Sequence, residues 1–506
     1  MSNPQKYLII FVAFFTLNAR TVHVTTPSRY QAAIANAAAG DTIAIAAGTY
    51  PDVQAPQSAD GTLADPIVVR GESKETVVFD SHGEGLKHYP KHWIFENIYF
   101  KGNNSYHLFH IKPGAKGYLT IRNCHFSGVA DKAIKIDFAA YSGPTSIWPD
   151  YILVENCTME VGQGGLMNND GADYCTCRNN YTYGFIPGGV GYIFFSKGGL
   201  AYTIFENNLV VGGRWGPISV GGGSMSVPGE IFRHDDDLAA AYPNKTIEMI
   251  NSVIRNNIVI NGEAGVHSST TLDCEIYNNT LINCTRSLEI HPHHGDPVGL
   301  KFYNNLLIST GSIKNGGPFL EASNNTSLDM DPSELFVSWN QNDPAQSDFR
   351  IRQSAVASVG TGMVPHEHAD WRFHALPSSG FYDYYGTLRQ SPPLIGATEV
   401  EGATQGAKRD IRAGPNAMPL EIYPDGNGSV ISLHSDRGYP LIDILVQDLQ
   451  GRHIRTLHYG PVEKGLHTWR FDHRDHDNAP VGAGWYIARI STGKDVAYKP
   501  FAVQRR

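Results

Sequence analysis

The sequence predicts an all-β protein: a right-handed parallel β-helix with an N-terminal capping helix, followed by a small antiparallel β-sandwich. Three observations predict it. One short phrase recurs, an alternating apolar run closed by Asn and then Asn or Cys: YLTIRNCHF at 118 to 126, YILVENCTM at 151 to 159, YTIFENNLV at 202 to 210, CEIYNNTLI at 274 to 282 and LKFYNNLLI at 300 to 308. Its first Asn falls at Asn97, Asn123, Asn156, Asn179, Asn207, Asn256, Asn278 and Asn304, mostly in steps of roughly 20 to 30 residues, as in a coiled solenoid of strands. Composition agrees, since 52 Gly and 29 Pro against 18% charged residues suit short strands and tight turns. Near the C-terminus the rhythm changes: LEIYPD, VISLHSD, IDILVQDLQGR, HTWRFDHRD and GWYIARIS read as amphipathic strands between Gly, Asp and Pro turns.

Taken in order, residues 1–19 read as a secretory signal peptide: Lys6, the apolar run Tyr7 to Leu17, then Asn18-Ala19, too short to span a bilayer comfortably. The mature chain is expected to begin near Arg20. Thr26 as cap, Pro27 at the first helical position and Gly40 as stop delimit an Ala-rich helix, placed to cover the open end of the solenoid. Coils are expected to fill 20–400, continuing through FLEASNN and DFRIRQSAV; 401–416 is a linker and 417–506 the sandwich. The net charge of -9, with no basic stripe, argues against nucleic acid as a partner. Cys124 and Cys157 follow the ladder Asn, where other copies place Asn180, Asn208, Asn257, Asn279 and Asn305. They are expected as free thiols in an inward stack, with a disulfide between coils or a metal site as competing readings.

The segment AAIANAAAGDTIAIAAGTY with GTLADPIVVRGE behind it resembles the N-terminal region of the family that holds chondroitinase B and alginate lyases, within the secreted β-helix proteins of the pectate-lyase type. GTLRQSPPLIGATE resembles their closing coil. Because that scaffold carries lyases, hydrolases, epimerases and non-enzymes, the likeness bears on fold before reaction. From about Met418 onward, IDILVQDLQGRHIRTL, GLHTWRFDHRDHDNAPVGAGWYIARIS and KPFAVQRR resemble the Ig-like modules at the C-termini of type IX secreted proteins. That resemblance implies an export and surface-attachment module of a Gram-negative bacterium, with outer-membrane secretion machinery as partner and a secreted or cell-surface location. A plain sandwich spacer is the competing reading.

Cleavage of a uronate polymer by β-elimination needs a base for the C5 proton, an acid for the leaving oxygen, and positive charge facing the carboxylate. In GYIFFSKGGLAYTIFENN, similar to the strand that carries the family's lysine, the resemblance implies Lys197 as base; a structural or substrate-contacting Lys is the alternative. The chain departs from the family twice. Val190 and Tyr192 stand where two acidic Ca²⁺ ligands are found, and Gly221 and Gly222 where an Arg-His pair follows one coil later. Arg214 and Trp215, a cation beside an indole, suit a sugar bearing a carboxylate. Lys135, in DKAIKID, would share a face with Asp137. NNDGADY offers Asp170 and Asp173, and HDDD offers His234, Asp235, Asp236 and Asp237 within the longest step of the ladder, where bound Ca²⁺ is a candidate cofactor. His267 and His291 lie at similar offsets in successive coils and are expected on the face of Lys197.

The leading expectation is therefore a secreted, monomeric polysaccharide lyase acting on an acidic, uronate-containing polysaccharide, with Lys197, Arg214 and His234 as catalytic residues. Trp215, Lys135, His267 and His291 would contact substrate, and Asp170, Asp173 and Asp235 to Asp237 would hold a metal. A glycoside hydrolase using paired carboxylates and a non-catalytic glycan-binding surface protein are the alternatives.

Overall fold

The computed structural model describes residues 20–506 except 55–58, 63–64, 113–114, 138–148, 163, 187–190, 223–246, 292–294, 364, 366–382, 386–388, 390–391, 401–419, 426–427, 436–438, 449–452, 476–478, 483, 492–495 and 504–506. Its larger part is a parallel β-helix, and the Asn phrase explains why the chain turns where it does. The first Asn of each copy, from Asn97 at φ 60° to Asn304 at φ 55°, occupies the left-handed region. Asn enters that region more readily than other residues with a side chain, so each copy carries its own corner.

The residue after the corner points inward and is buried. There Asn180 Nδ2 donates to Asn208 Oδ1 at 3.0 Å, Asn208 to Asn257 at 2.9 Å, and Asn257 to Asn279, Asn279 to Asn305 and Asn305 to Asn325 at 3.0 Å each. Each Oδ1 also receives a backbone N–H of the preceding coil, as in Asn208 N to Asn257 Oδ1 at 3.0 Å. The ladder thus pairs amides that would otherwise be stranded in the core. Cys124 and Cys157 occupy the same inward positions at its N-terminal end, and all six cysteines are buried free thiols.

Before each corner the chain contributes to a twelve-stranded sheet running from Thr21–Val24 to Leu320–Ser323, its neighbours parallel and in sequential coils. After the corner it enters a second row, exemplified by Thr158–Gly162, Leu209–Val211 and Thr280–Ile282. A third row comprises Leu86–His88, the distal parts of Tyr99–Ile111 and His125–Ile136, then Gly165–Asn169, Phe194–Ser196, Ile218–Val220, Ala264–Ser268 and Arg286–Ile290. The helix Pro27–Ala35 closes the N-terminal end as expected. Thr26 Oγ1 accepts the Arg29 N–H at 3.3 Å, and Tyr30 packs edge-on to Phe79 with 5.2 Å between rings.

The coils end earlier than the sequence suggests. Thr326–Leu328 is the last strand of the second row; Asp348–Ile351, expected as a further coil, pairs antiparallel with Phe336–Ser338 instead. Leu335, Phe336, Phe349 and Ile351 pack over Leu209, Ile258, Ile282 and Leu306 of the second row. These residues read as one more coil because a strand paired in a local antiparallel ribbon has the same alternation as a solenoid strand. Arg389 anchors the segment by donating to Asn256 Oδ1 at 2.9 Å and to Glu399 at 3.1 Å. The C-terminal unit is the expected sandwich: antiparallel Leu420–Asp425, Gly428–Ser435 and Gly465–Phe471 form one sheet, and His453–Val462, Tyr439–Asp448, Gly484–Ser491 and Val496–Val503 the other.

Two expectations test this fold. Asn257→Ala removes a rung that accepts one backbone N–H and donates to Phe205 O, Arg255 O and Asn279. Urea denaturation should report a loss of roughly 2–3 kcal/mol, and a change near zero would mean that the ladder is ornamental. His88 is 1% exposed among Trp93, Phe95 and Phe109, and burial, against a weaker pull from the Pro90 carbonyl, pushes its pKa down to about 3. The folded protein keeps His88 neutral, whereas the unfolded chain takes up a proton below its ordinary value of 6.5. This contribution is complete above about pH 6.5 and falls by up to ~1.4 kcal/mol per pH unit down to about pH 3. His88→Phe should therefore lose less stability than the parent between about pH 7 and pH 5; parallel losses would show that His88 is not buried neutral.

Candidate active site

Parallel register decides what the outer face of the third row displays. Lys87, His110, Lys135, Asn168, Phe195, Ser219, His267 and Glu289 are partners in successive coils and form one column. Two residues further along, Lys112, Asp137, Asp170, Lys197, Gly221, Ser269 and His291 form a second. Coils lie about 4.8 Å apart, so side chains of adjacent coils reach one another.

Over the earlier coils these columns hold an ion-pair chain. His110 is held between two carboxylates, its Nδ1 against Glu84 and its Nε2 2.6 Å from Asp137. Lys135 bridges Asp137, at 3.4 Å, and Asp170, to which it hydrogen-bonds. Asp170 also receives Asn168 Nδ2 at 3.2 Å and lies 4.0 Å from Lys197 Nζ. Burial works against these charges, but the partners prevail. Glu84, facing Lys87 and His110, and Asp137, facing His110 and Lys135, are both lowered to about 2, while Asp170 and Asp137 raise Lys135. Lys132, beside this chain, differs: burial lowers it although Asp131 is 3.3 Å away.

Beyond Lys197 the face becomes aromatic. Phe195 lies 5.2 Å from Lys197 Nζ and stacks on Tyr192 with 4.4 Å between rings. Tyr192 in turn meets Trp215 at 5.5 Å and His267 at 5.1 Å, and the Arg214 guanidinium sits 5.0 Å over the Trp215 ring. Two glycines make room for this wall. A Cβ at Gly191 would come within 2.2 Å of the Trp215 ring, and one at Gly222 within 2.2 Å of Phe195. The buried His267 contacts Ser219 Oγ through Nδ1 at 2.8 Å and faces His291 at 5.4 Å; His291 Nε2 is 2.8 Å from Glu289. Glu289, also held by Lys314 and Arg286, is lowered to about 2 although its burial acts the other way.

The structure thus joins Lys135, Asp170 and Lys197 in one chain of contacts and joins Arg214, Trp215, His267 and His291 through Tyr192, with Phe195 linking the two groups. Asp173 makes a different contact: its Oδ1 accepts the Ala201 N–H at 2.7 Å, from 28 residues further along the chain. The chain bends at Gly171 between Asp170 and Asp173. His234 and Asp235 to Asp237 lie outside the described residues. Arg214, expected to assist Lys197, stands on Trp215.

Of the residues expected to hold Ca²⁺, only Asp170 and Asp173 are among those described. Tyr192 stacks on Phe195 where the resemblance would require a carboxylate, Asp170 is engaged by Lys135 and Lys197, and no group of three His, Cys, Asp or Glu is arranged to hold a metal among the described residues. Sequence reasoning missed Glu84 and His110. The register of His110 with Lys135 was the available signal.

Residues 24–136 match the family model described as Chondroitinase B, a span that includes His110 and Lys135 and stops short of Lys197. No curated protein matches the chain. Among solved structures, the chain is similar to an alginate lyase from Paenibacillus sp. str. FPU-7, at 15% identity over 61% of this chain and 99% of that one, with a TM-score of 0.36. It is similar also to a PL6 family polysaccharide lyase from Pseudopedobacter saltans, at 13% identity over 65% and 81% of the two chains, with a TM-score of 0.36. A mannuronan C-5 epimerase A-module from Azotobacter vinelandii shows 10% identity over 61% and 95%, with a TM-score of 0.37. The family match lies within the parallel β-helix.

Lys135 and Lys197 should differ on substitution. Lys135→Met leaves Asp137 and Asp170 without the cation between them and should cost about 2 kcal/mol or more in urea denaturation. Lys197→Met removes a cation that lies 4.0 Å from Asp170, beyond hydrogen-bond reach, and should cost less. Equal losses would place Lys197 with the structural cations.

Proposed function

We propose that the protein is a polysaccharide lyase that cleaves a uronate-containing polysaccharide by β-elimination, with Lys197 as the proton-transfer residue. The observation that carries this reading is the position of Lys197: it stands where the ion-pair chain gives way to the aromatic wall, on the outer face of the third row. In that reaction the C5–H bond breaks, its electron pair forms the C4=C5 double bond, and the C4–O bond breaks as the leaving oxygen gains a proton. Lys197 in its neutral form would take the C5 proton, and positive charge from Arg214 would face the uronate carboxylate as it gathers electron density. Trp215, 43% exposed, would support a sugar ring with Arg214 alongside. His291 continues this face towards Arg286 and Lys314, which suits a long anionic substrate, while His267 is buried beneath it.

The family match over residues 24–136 supports the polysaccharide-lyase direction of this reading. For the hydrolase alternative, Asp170 is engaged by Lys135 and Asn168, whereas Asp173 accepts the Ala201 N–H. We also infer that the protein is exported, acts as a monomer, and is held at the surface of a Gram-negative cell through its C-terminal sandwich. Support for this comes from the apolar run after Lys6 and the sandwich's likeness to type IX modules.

A panel of uronate polymers followed in the ultraviolet, where the unsaturated product absorbs, should identify a substrate. Lys197→Ala should then lower the rate roughly 100-fold or more with an unchanged melting temperature. Full activity in that variant would remove Lys197 from the mechanism, and new reducing ends without absorbance would point to hydrolysis instead.

A further inference from the structure

Past Lys197, the outer face of the third row ends in a group of charges that the reaction scheme leaves without a role. Glu289 lies at its centre. Its carboxylate is 3% exposed, whereas the side chains gathered on it reach the surface: His291 Nε2 at 2.8 Å and Lys314 Nζ at 2.6 Å, both on Oε1, are 38% and 41% exposed, and Arg286, on Oε2, is 28% exposed. The negative charge is thus buried, and the cationic heads are what a ligand would meet. Arg286 contacts both Glu289 and, at 3.4 Å, Glu263 through Nη1, and Lys314 gives one of its three N–H groups to Glu289. Both therefore retain donors beyond these contacts. Glu263 also accepts the Trp215 N–H at 3.2 Å, which ties this group to the turn that carries Arg214 and Trp215. Cations already fixed by a buried carboxylate bind an anion without first having to be ordered.

Parallel register gives the distance from Lys197. His291 follows it in the second column after Gly221 and Ser269, three coils on, which is roughly 14 Å. Lys314 stands one coil further, in register with Glu289. Between the two ends the column carries only the small residues Gly221 and Ser269, and Tyr192 flanks it, its ring 4.4 Å from Phe195 and 5.1 Å from His267. An extended 1,4-linked pyranoside chain advances by about one coil's rise per sugar, so a polymer laid along the solenoid axis keeps step with the coils.

We propose that Arg286, His291 and Lys314 form a distal subsite that holds the carboxylate of a uronate three sugars away from the one at Lys197. The identity of the reacting sugar rests on the lyase reading; the anion site stands on its own geometry.

The test uses the full chain and 1,4-linked oligouronates of two to eight sugars, in guluronate, mannuronate and galacturonate series, at low salt. Affinity is read by calorimetry where a series is not cleaved and as kcat/KM where it is. A trisaccharide is too short to reach from Lys197 to His291, and a pentasaccharide is long enough. In at least one series the value should therefore rise about tenfold between these lengths, the gain expected of one charge-assisted contact. Lys314→Met leaves Glu289 with Arg286 and His291 and should bring the ratio of pentasaccharide to trisaccharide close to one; Arg286→Met should do the same. Lys301→Met, which removes a cation paired with Glu275 on the first sheet, should keep the wild-type ratio. A wild type with no rise in any series would overturn the inference even if neither variant folds, and so would a ratio that survives both substitutions. Absorbance of the unsaturated product separates the two claims. A rise that depends on Lys314, without product, would keep the distal subsite and defeat the lyase reading; product without dependence on length would do the reverse.

Discussion

The structure depends on keeping neighbouring coils in register, and the inward Asn ladder imposes that constraint. A parallel strand can slide along its neighbour by two residues and still present an apolar face to the core. A buried amide cannot. Each of Asn208, Asn257 and Asn279 receives a backbone N–H from the preceding coil and donates to the next amide. Displacing one coil would strand donors and acceptors above and below it, each costing about 1–3 kcal/mol. The preceding left-handed Asn fixes where the corner occurs, so direction and register are set by adjacent residues. Every outward column is aligned as a consequence.

Alignment of this kind turns a sequence of coils into a surface of chosen charge. On the first sheet Arg70, Glu96, Arg122, Glu155, Arg178, Glu206 and Arg255 are register partners in successive coils, and their signs alternate. Arg122 meets Glu96 at 2.6 Å, Arg178 meets Glu155 at 2.9 Å and Arg255 meets Glu206 at 3.0 Å. A column that neutralises itself in this way is a structural device. The third row follows another pattern. Lys87, His110 and Lys135 share one column, and their counter-charges come from Glu84 and from the adjacent column at Asp137 and Asp170. At the coil after Lys197 that second column offers Gly221 in place of a carboxylate. The change from charge to small and aromatic residues distinguishes the Lys197 region from the ladder on the first sheet.

Much of this was legible because it is local. The corner Asn, the capping Thr26 with Pro27, the strand alternation and the change of rhythm towards the sandwich each depend on residues within a few positions of one another. Lys135, Asp170 and Lys197 were found by residue type and strand position, and they do meet. What sequence could not provide is contact across coils of unequal length. Glu84 reaches His110 across 26 residues, and Gly198 reaches Glu248 across 50. No period predicts the second separation, because the long step between Asn207 and Asn256 intervenes. Asp173 shows the converse: three residues from Asp170 in sequence, it accepts the Ala201 N–H while Asp170 meets Lys135 and Asn168. The antiparallel pairing of Asp348–Ile351 was hidden because alternation does not disclose the partner of a strand.

The two departures from the chondroitinase B and alginate lyase pattern, at Tyr192 and at Gly221-Gly222, look independent in the sequence, 30 residues apart. In the structure both meet one ring. Tyr192 stacks on Phe195 at 4.4 Å, and Gly222 lies so close that an added Cβ would be 2.2 Å from the same side chain. A side chain at 222 therefore requires Phe195 to move, and moving Phe195 removes the support of Tyr192, which in turn holds Trp215. Gly221 is constrained separately: its φ of 78° disfavours a side chain, and an added Cβ would fall 1.9 Å from Ser269 O. Placing charged groups here one at a time would clash with packing already in place. The aromatic wall and the glycines that admit it are packed as one unit centred on Phe195, with Lys197 at its edge.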